Sequence, residues 1–174
     1  MTRLVLFEPD IPQNTGTLMR LCACLGVPLD VVEPCGFILD DRRMRRALMD
    51  YWQHLEWTRH ASWQAFLSAR PGGRLVLLDV AADTDYPDFA FRPDDMLVAG
   101  SEGAGVPDAV KAQVDAAVRI PMRSGPRSLN VAVASAMVLG EALRQTGLFP
   151  GRRDSGHGPG GHDPGGHDPG GLRG

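Results

Sequence analysis

Apolar residues in the first 150 positions form short continuous runs that alternate with longer segments of helical spacing. The short runs have the composition and length of strands, and they predict strands at residues 3–7, 29–33, 74–79, 96–99 and 117–120. After the first run, Leu18, Leu21 and Leu25 recur at helical spacing before a glycine, which predicts a helix over residues 14–25. Further helices are predicted over residues 40–51, 63–69 and 130–146, with a short one opened by Pro107.

This alternation predicts an α/β fold in which a mostly parallel sheet is covered by helices on both faces. Residues 1–150 are long enough for one domain with a sizeable core and short for two. Ligands of such sheets bind outside the carboxyl ends of the strands. The loops that follow the predicted strands are therefore where the chemistry is expected.

The composition changes after Pro150. Residues 151–174 contain a five-residue repeat of Gly, His, Asp and Pro with almost no apolar side chains, for example Gly161-His162-Asp163-Pro164-Gly165. Such a segment cannot bury a core, so it is predicted to be a disordered tail. Its spaced histidines could bind a transition metal weakly, but a solvated tail is the favoured interpretation.

The net charge, the cysteines and the N-terminus each argue against particular classes of protein. The net charge is −3, so a generic polyanion binder is not expected, and DNA is not expected as a partner. No stretch approaches the roughly 20 apolar residues that a membrane span needs, so a membrane is not expected as a partner either. Cys22, Cys24 and Cys35 form neither a zinc pattern nor a disulfide framework and are interpreted as buried free thiols. The N-terminus reaches Glu8 too soon to be a signal peptide, which favours a cytoplasmic protein.

Three loops at predicted strand ends carry polar side chains. The first contains Asn14, and Arg20 follows six residues later. If Asn14 caps the helix, the long Arg20 side chain can reach back, so that an amide and a guanidinium lie beside one ligand group. An N-cap asparagine with a solvent-exposed arginine remains the alternative.

The second loop, residues 100–107, has three glycines within six residues, which lets the backbone approach a ligand. It lacks the Gly-Lys-Ser/Thr end of a P-loop and the spacing of a dinucleotide fingerprint. Glu102 would also repel a pyrophosphate. A loop of glycines with one acid suits a ligand that is cationic or rich in hydroxyls, although a plain glycine-rich turn is the alternative.

The third loop, residues 120–130, runs from a strand into the last helix. Ser128 and Asn130 offer a hydroxyl and an amide there, and the apolar side chains of Ile120, Met122 and Leu129 could flank a flat ring. The alternative is a proline-containing loop that ends in a helix cap.

Together, these loops resemble three motifs of the SpoU/TrmD (SPOUT) superfamily of RNA methyltransferases. The motifs are Asn14-Thr15-Gly16-Thr17-Leu18-Met19-Arg20, Gly100-Ser101-Glu102-Gly103-Ala104-Gly105-Val106-Pro107, and Ile120-Pro121-Met122 followed by Ser128-Leu129-Asn130-Val131-Ala132. Within the superfamily, Glu33-Pro34-Cys35-Gly36-Phe37 and Asp50-Tyr51 resemble the small one-domain TrmL type, which methylates the 2′-oxygen of the tRNA wobble ribose. The resemblance covers about residues 1–150.

The resemblance implies a fold and an activity. It implies a deep trefoil knot in the C-terminal half and a homodimer that completes the active site across its interface. It implies S-adenosylmethionine as the methyl donor and the anticodon loop of tRNA as the substrate, with no metal. By position, Leu78, Gly100, Ile120 and Ser128 should line the cofactor pocket; Glu102, Met122, Leu129 and Asn130 are added to the same site.

In the same family, Arg20 with Asn14 is the candidate for acting on the target ribose. A guanidinium is a poor proton acceptor at neutral pH. Arg20 is therefore expected to orient the nucleotide and to stabilise the developing 2′-alkoxide. Glu102 is expected to shape the cofactor loop or to act near the reaction centre.

The sequence departs from TrmL-type proteins at two places. Many of them have Glu-Thr-Arg-Gly where this chain has Glu102-Gly103-Ala104-Gly105, and often Ser-Asn where it has Ala132-Val133. These changes leave open 2′-O-methylation of another tRNA or rRNA ribose. A non-catalytic RNA-binding module is a separate alternative, against which the presence of Asn14, Arg20, Glu102 and Ser128 counts.

An RNA-binding surface is predicted from the arginines. One predicted helix has four arginines within a stretch of five residues: Arg42, Arg43, Arg45 and Arg46. In the third loop, Arg123 and Arg127 would extend this surface towards the cofactor. A solvated helix face, partly neutralised by the neighbouring aspartates, is the alternative.

Overall fold

A computed structural model describes residues 1–151, except for the side chains of Arg43 and Ala47. Six strands and five α-helices alternate along this part of the chain. The strands are β1 (Arg3–Phe7), β2 (Leu29–Val32), β3 (Trp57–His60), β4 (Leu75–Leu78), β5 (Met96–Ala99) and β6 (Ala116–Val118). The helices are α1 (Pro12–Leu25), α2 (Asp41–Leu48), α3 (Trp63–Ala69), α4 (Asp108–Lys111) and α5 (Val131–Thr146), with 3₁₀ turns at Met49–His54 and Tyr86–Asp88.

The strands form one sheet in the order β3-β2-β1-β5-β4-β6, and every neighbouring pair is parallel. In the centre of the sheet, Leu4 of β1 pairs with Leu29 of β2 and with Leu97 of β5. The predicted α/β fold with a mostly parallel sheet is therefore confirmed. Because all strands point the same way, their carboxyl ends meet at one edge of the sheet.

Both faces of the sheet are buried. Successive side chains of a strand point to opposite faces, so Leu4 and Leu6 of β1 pack in one core cluster while Val5 and Phe7 pack in another. The first cluster is covered by α1 and α5, and the second by α3 and α4. The largest fully buried side chains on these helices are Leu18, Met19, Phe66, Leu139 and Leu143.

One strand was not predicted. The segment Trp57–His60 forms β3 at the edge of the sheet, where Thr58 and Arg59 are exposed. An edge strand of four residues, three of them polar, lacks the apolar run by which the other strands were identified. Apart from α2, the remaining elements agree with the predicted ranges to within two residues at each end.

Two helix ends differ from the prediction. Helix α1 begins at Pro12 with Ile11 at the N-cap, so Asn14 lies inside the first turn and the prediction of Asn14 as a cap is wrong. Pro12 is tolerated there because the first turn has no use for its missing N–H. Helix α2 ends at Leu48 rather than near Tyr51, because Met49 adopts a φ of 49° and the chain continues as a 3₁₀ turn.

The cysteines differ in burial. Cys22 is buried and Cys35 is half-buried, but Cys24 is exposed, so the prediction of buried thiols is wrong for Cys24. Cys22 and Cys24 are two residues apart on α1 and therefore point to different faces. Burial raises the pKa of the Cys22 thiol to about 12. This thiol is therefore protonated at neutral pH and does not act as a nucleophile.

Within residues 1–151, no helix is long and apolar enough to cross a membrane. The tail assigned to residues 151–174 lies outside the described residues from Arg152 onwards. The boundary near Pro150 and the C-terminal trefoil knot stay predictions.

Candidate cofactor and RNA site

Three loops meet at the carboxyl edge of the sheet. Loop 1 (residues 8–11) follows β1, loop 2 (residues 100–107) follows β5, and loop 3 (residues 119–130) follows β6. Strands β1 and β5 are neighbours in the sheet, and β4 separates β5 from β6. The three segments that the sequence marks as chemically unusual therefore lie side by side.

A cavity of about 680 Å³ opens between these loops, at the ends of β4, β5 and β6. Its volume is in the range of a site for a small organic molecule. Its lining includes all eight residues predicted to contact the cofactor: Leu78, Gly100, Glu102, Ile120, Met122, Ser128, Leu129 and Asn130. Asn14 and Arg127 line it as well, whereas Arg20, Arg42, Arg45 and Arg46 do not.

Loop 2 is folded back tightly on itself. Ser101 and Gly105 exchange backbone hydrogen bonds of 3.1 and 2.9 Å, and Gly105 adopts a φ of 67°. A Cβ added to Gly100 would lie 2.7 to 2.9 Å from three backbone atoms of Gly105. Only glycine fits at position 100, and its backbone stays open to the cavity.

The carboxylate of Glu102 connects loop 2 to loop 1. Its Oε2 accepts from the backbone N–H of Asp10 at 2.7 Å, and its Oε1 accepts from Nδ2 of Asn14 at 2.8 Å. Asp10 returns the contact, because its Oδ2 accepts from the backbone N–H of Gly103 at 3.0 Å. Since both carboxylate oxygens are engaged, the structure gives Glu102 the role of a clamp between the two loops.

Asn14 extends this network to α5. Its Oδ1 accepts from Nδ2 of Asn130 at 2.9 Å, and Oδ1 of Asn130 accepts from the backbone N–H groups of Ala132 and Val133. A carboxylate can only accept hydrogen bonds, so the Asn14 NH2 group must face Glu102 and the Asn14 oxygen must face Asn130. The orientation of both side-chain amides in this network is therefore determined. Asn130 is thus the N-cap of α5, in line with the helix cap considered for this loop, and Asn14 joins the motifs of all three loops.

An ion pair closes another side of the cavity. Nζ of Lys111 on α4 lies 2.6 Å from Oδ2 of Asp79, which follows β4, and both residues line the cavity. Burial raises the pKa of Asp79, but hydrogen bonds from Lys111 and from the Ala81 N–H, with the positive charge of Lys111, outweigh it and lower the pKa overall. The carboxyl is therefore charged and the pair is intact at neutral pH.

Arg20 lies two turns into α1 and is exposed. Its Nη2 donates to the hydroxyl of Tyr51 at 2.9 Å, and its Cζ lies 4.2 Å from the centre of the Tyr51 ring. Asn14 and Arg20 are thus on the same helix, but Asn14 faces the cavity while Arg20 is held against the 3₁₀ turn. Their joint contact with one ligand group stays a prediction.

The arginines predicted to contact RNA are exposed where the structure describes them. Arg42, Arg45 and Arg46 lie on the outer side of α2, while Met44 and Leu48 are buried beneath them. Arg45 lies 5.1 Å above the ring of Trp52. Arg123 and Arg127 are exposed in loop 3, and the side chain of Arg43 is not among the described ones.

Sequence reasoning did not assign Asp10, Tyr51 or Lys111 to the site. Asp10 lies just before the first motif, and Tyr51 lies within the segment Asp50-Tyr51. The sequence does not indicate that they contact Gly103 and Arg20. Lys111 is the single lysine of the chain, yet nothing in the sequence connects it with Asp79, 32 residues earlier.

Comparison with known proteins shows which family the chain resembles. Residues 1–140 match the family described as the SpoU rRNA Methylase family. A protein of Beijerinckia indica subsp. indica, named tRNA (cytidine(34)-2′-O)-methyltransferase, is 58% identical over 146 residues, which cover 83% of this chain and 91% of the relative.

Two solved structures share the fold. One, described as giving structural insights into the 2-OH methylation of C/U34 on tRNA, is 40% identical with a TM-score of 0.77 and covers 83% of this chain and 95% of its own. The other is the SpoU methyltransferase AviRb from Streptomyces viridochromogenes in complex with the cofactor AdoMet, which is 29% identical with a TM-score of 0.70 over 83% of this chain and 60% of its own. This chain belongs to the SpoU rRNA methylase family.

Proposed function

We propose that this protein is an S-adenosylmethionine-dependent RNA methyltransferase that modifies the 2′-oxygen of the ribose at tRNA position 34. The observation that carries the proposal is the cavity at the carboxyl edge of the sheet, where the motifs of three loops meet. The name of the 58% identical relative supports position 34. The family description, which refers to rRNA, makes rRNA the second candidate substrate.

The residues of the cavity fit this cofactor. Ile120, Met122 and Leu129 offer apolar side chains to a flat purine ring, and the ends of β4 and β5 offer backbone groups at Leu78 and Gly100. AviRb, in complex with AdoMet, supports the same choice of cofactor. Ser128 supplies a hydroxyl for the polar parts of the ligand, whereas the amide of Asn130 is engaged by Asn14 and by the start of α5.

The catalytic work of the chain is to position groups and to stabilise charge. When bound, the cofactor supplies a methyl group that its sulfonium has already activated. Glu102, Asn14 and Asn130 hold the three loops together so that the cavity keeps its shape. Arg20 orients the target ribose and stabilises negative charge that develops on its 2′-oxygen.

The two departures from TrmL-type sequences lie at the site but leave this network intact. Ala104 is exposed in loop 2, and Ala132 and Val133 contribute backbone N–H groups to the Asn130 cap. Since the backbone makes these contacts, the substitutions do not remove them. We infer that the departures affect RNA recognition rather than cofactor binding.

The experiment that tests this function is a map of ribose methylation in tRNA and rRNA from cells with and without the protein. Loss of 2′-O-methylation at position 34 of tRNA, with rRNA unchanged, is the expected result. Loss of methylation in rRNA alone would indicate that rRNA, the second candidate, is the substrate. Unchanged methylation of both RNAs would contradict the proposal.

We also propose that the protein acts on its tRNA substrate in the cytoplasm.

We also propose that the protein is a homodimer. Leu129, Val133 and Met137 are spaced four residues apart and are 39, 50 and 39% exposed. They form an apolar stripe that starts at the cavity and continues along α5, as expected for a face that a second copy covers. Sedimentation should give twice the chain mass of 18.8 kDa. Met137→Glu should shift it towards the monomer, and a wild-type monomer would contradict the proposal.

The arginines of α2 are proposed to contact phosphates of the tRNA. Arg46→Glu or Arg42→Glu is expected to weaken tRNA binding. Replacement by glutamine should reduce the slope of log K against log salt by roughly one unit for each phosphate that the side chain no longer neutralises. S-adenosylmethionine affinity should not change. Filter binding at several salt concentrations measures the tRNA affinity and its salt slope.

The matched control is Arg92→Glu, which changes the net charge equally at an exposed position outside this surface. If tRNA affinity fell as much in the control as in the α2 variants, the effect would reflect overall charge. Unchanged affinity and salt slope in the α2 variants would support the solvated helix face instead.

A further inference from the structure

Arg20 makes two different contacts with Tyr51, one with its hydroxyl and one with its ring. The ring of Tyr51 is half-buried against the core between α1 and the 3₁₀ turn, so its position is fixed. The guanidinium of Arg20 is exposed, yet it both stacks on this ring at 4.2 Å and donates to its hydroxyl at 2.9 Å. Each contact restricts a side chain that would otherwise sample many rotamers.

The hydrogen bond uses only part of the donor capacity of Arg20. A guanidinium has five N–H donors, and Nη2 provides the one donated to Tyr51. The remaining donors keep a defined direction because the ring and the hydroxyl fix the plane of the group. Such preorganisation is what an electrostatic catalyst requires, since donors that are already aligned do not have to reorganise during the reaction.

The position of Tyr51 in the chain is also informative. The 3₁₀ turn that carries it follows α2 directly, and Met49 enters the turn with a φ of 49°, a conformation that is unfavourable for a non-glycine residue. The next residue, Trp52, stacks under Arg45 of the proposed RNA-contacting helix at 5.1 Å. Two consecutive aromatic residues therefore hold one arginine of α1 and one of α2.

We propose that Tyr51 is a positioning residue for methyl transfer, which fixes the guanidinium of Arg20 through its hydroxyl and its ring. This inference rests on the proposed function, because it gives Arg20 the role of acting on the target ribose. Tyr51 lies outside the lining of the cavity proposed for the methyl donor and acts on the ribose only through Arg20.

The test is a double-mutant cycle on the single-turnover rate at saturating cofactor and tRNA. Tyr51→Phe retains the ring and removes the hydroxyl, and it should slow methyl transfer roughly tenfold, the effect of one hydrogen bond to a charged group. In an Arg20→Ala background the same change should have no further effect. Cofactor affinity, tRNA affinity and melting temperature should stay at the wild-type values.

The matched control is Tyr86→Phe, which removes the same atom from the other tyrosine of the chain, outside the cavity lining. Its rate should equal that of the wild type. A wild-type rate for Tyr51→Phe or for Arg20→Ala, or losses that multiply in the double variant, would overturn the proposal. Multiplying losses are the result expected if Tyr51 only packs the 3₁₀ turn against α1.

A second measurement does not depend on activity. Nitrogen-15 NMR of the free protein should show slow rotation of the Arg20 guanidinium in the wild type and in Tyr86→Phe, and fast rotation in Tyr51→Phe. Equal rotation in all three proteins would overturn the positioning role. If the wild type methylated no RNA while the NMR result held, the proposed function would fail although the contact had been established.

Discussion

Arg20→Ala is expected to slow methyl transfer by about 100- to 1,000-fold, the loss that follows removal of one preorganised donor from a developing oxyanion. Arg20 lies outside the lining of the cavity, so the affinity for S-adenosylmethionine should stay unchanged. A loss in kcat and kcat/KM of equal size would indicate an interaction made only in the transition state. Single-turnover kinetics with tRNA and calorimetry with the cofactor measure the two quantities.

Arg20→Lys separates charge from geometry. Lysine keeps the positive charge but lacks the planar fork that stacks on Tyr51, so it should recover only part of the lost rate. If Arg20→Ala retained the wild-type rate, another residue would have to stabilise the ribose. If the cofactor affinity fell together with the rate, Arg20 would belong to the cofactor site instead.

Gly100→Ala is expected to weaken cofactor binding by about 5- to 150-fold. The added Cβ would approach three backbone atoms of Gly105 to within 2.9 Å or less, so loop 2 has to move. Forcing an extra carbon into such a contact costs about 1–3 kcal/mol, which corresponds to that range of affinity. Because the loop forms one wall of the cavity, calorimetric titration with S-adenosylmethionine measures the effect directly.

Gly103→Ala is the control on the same loop. A Cβ there would meet only Oδ2 of Asp10 at 3.3 Å, a side-chain atom that can yield. Cofactor affinity should therefore change by no more than a few fold. Equal losses at positions 100 and 103 would indicate general damage to the loop, and an unchanged affinity for Gly100→Ala would contradict the assignment of this cavity to the cofactor.

The sequence was sufficient for most of the sheet because buried parallel strands are short apolar runs that stand out from their surroundings. It was insufficient for β3, which lies at the edge with Thr58 and Arg59 exposed. It also did not predict the end of α2, since the break at Met49 depends on a backbone angle and not on a glycine or proline. Local pattern thus identifies the centre of this fold better than its margins.

For the site, the residue types were visible in the sequence but their hydrogen-bond partners were not. The sequence made Asn14 a candidate helix cap because asparagine often is one. Instead its amide connects Glu102, 88 residues away, with Asn130, 116 residues away. Contacts over such separations form because the sheet brings β1, β5 and the start of α5 together. No short segment of the sequence contains this information.

The same network of hydrogen bonds joins the three separate loops. Glu102 has both oxygens engaged, Asn14 has both ends of its amide engaged, and Asn130 caps α5 with its own oxygen. Removal of one member leaves at least one partner without its hydrogen bond, so the effects of substitutions within the network should not be additive.

Methylation of the 2′-oxygen at tRNA position 34 is tested most directly with two synthetic tRNAs that differ only in whether residue 34 carries ribose or 2′-deoxyribose. The measurement is transfer of labelled methyl from S-adenosylmethionine to each of them. We expect about one methyl group per tRNA with ribose at position 34 and none with deoxyribose. Equal labelling of the two tRNAs, or no labelling of either, would contradict this activity.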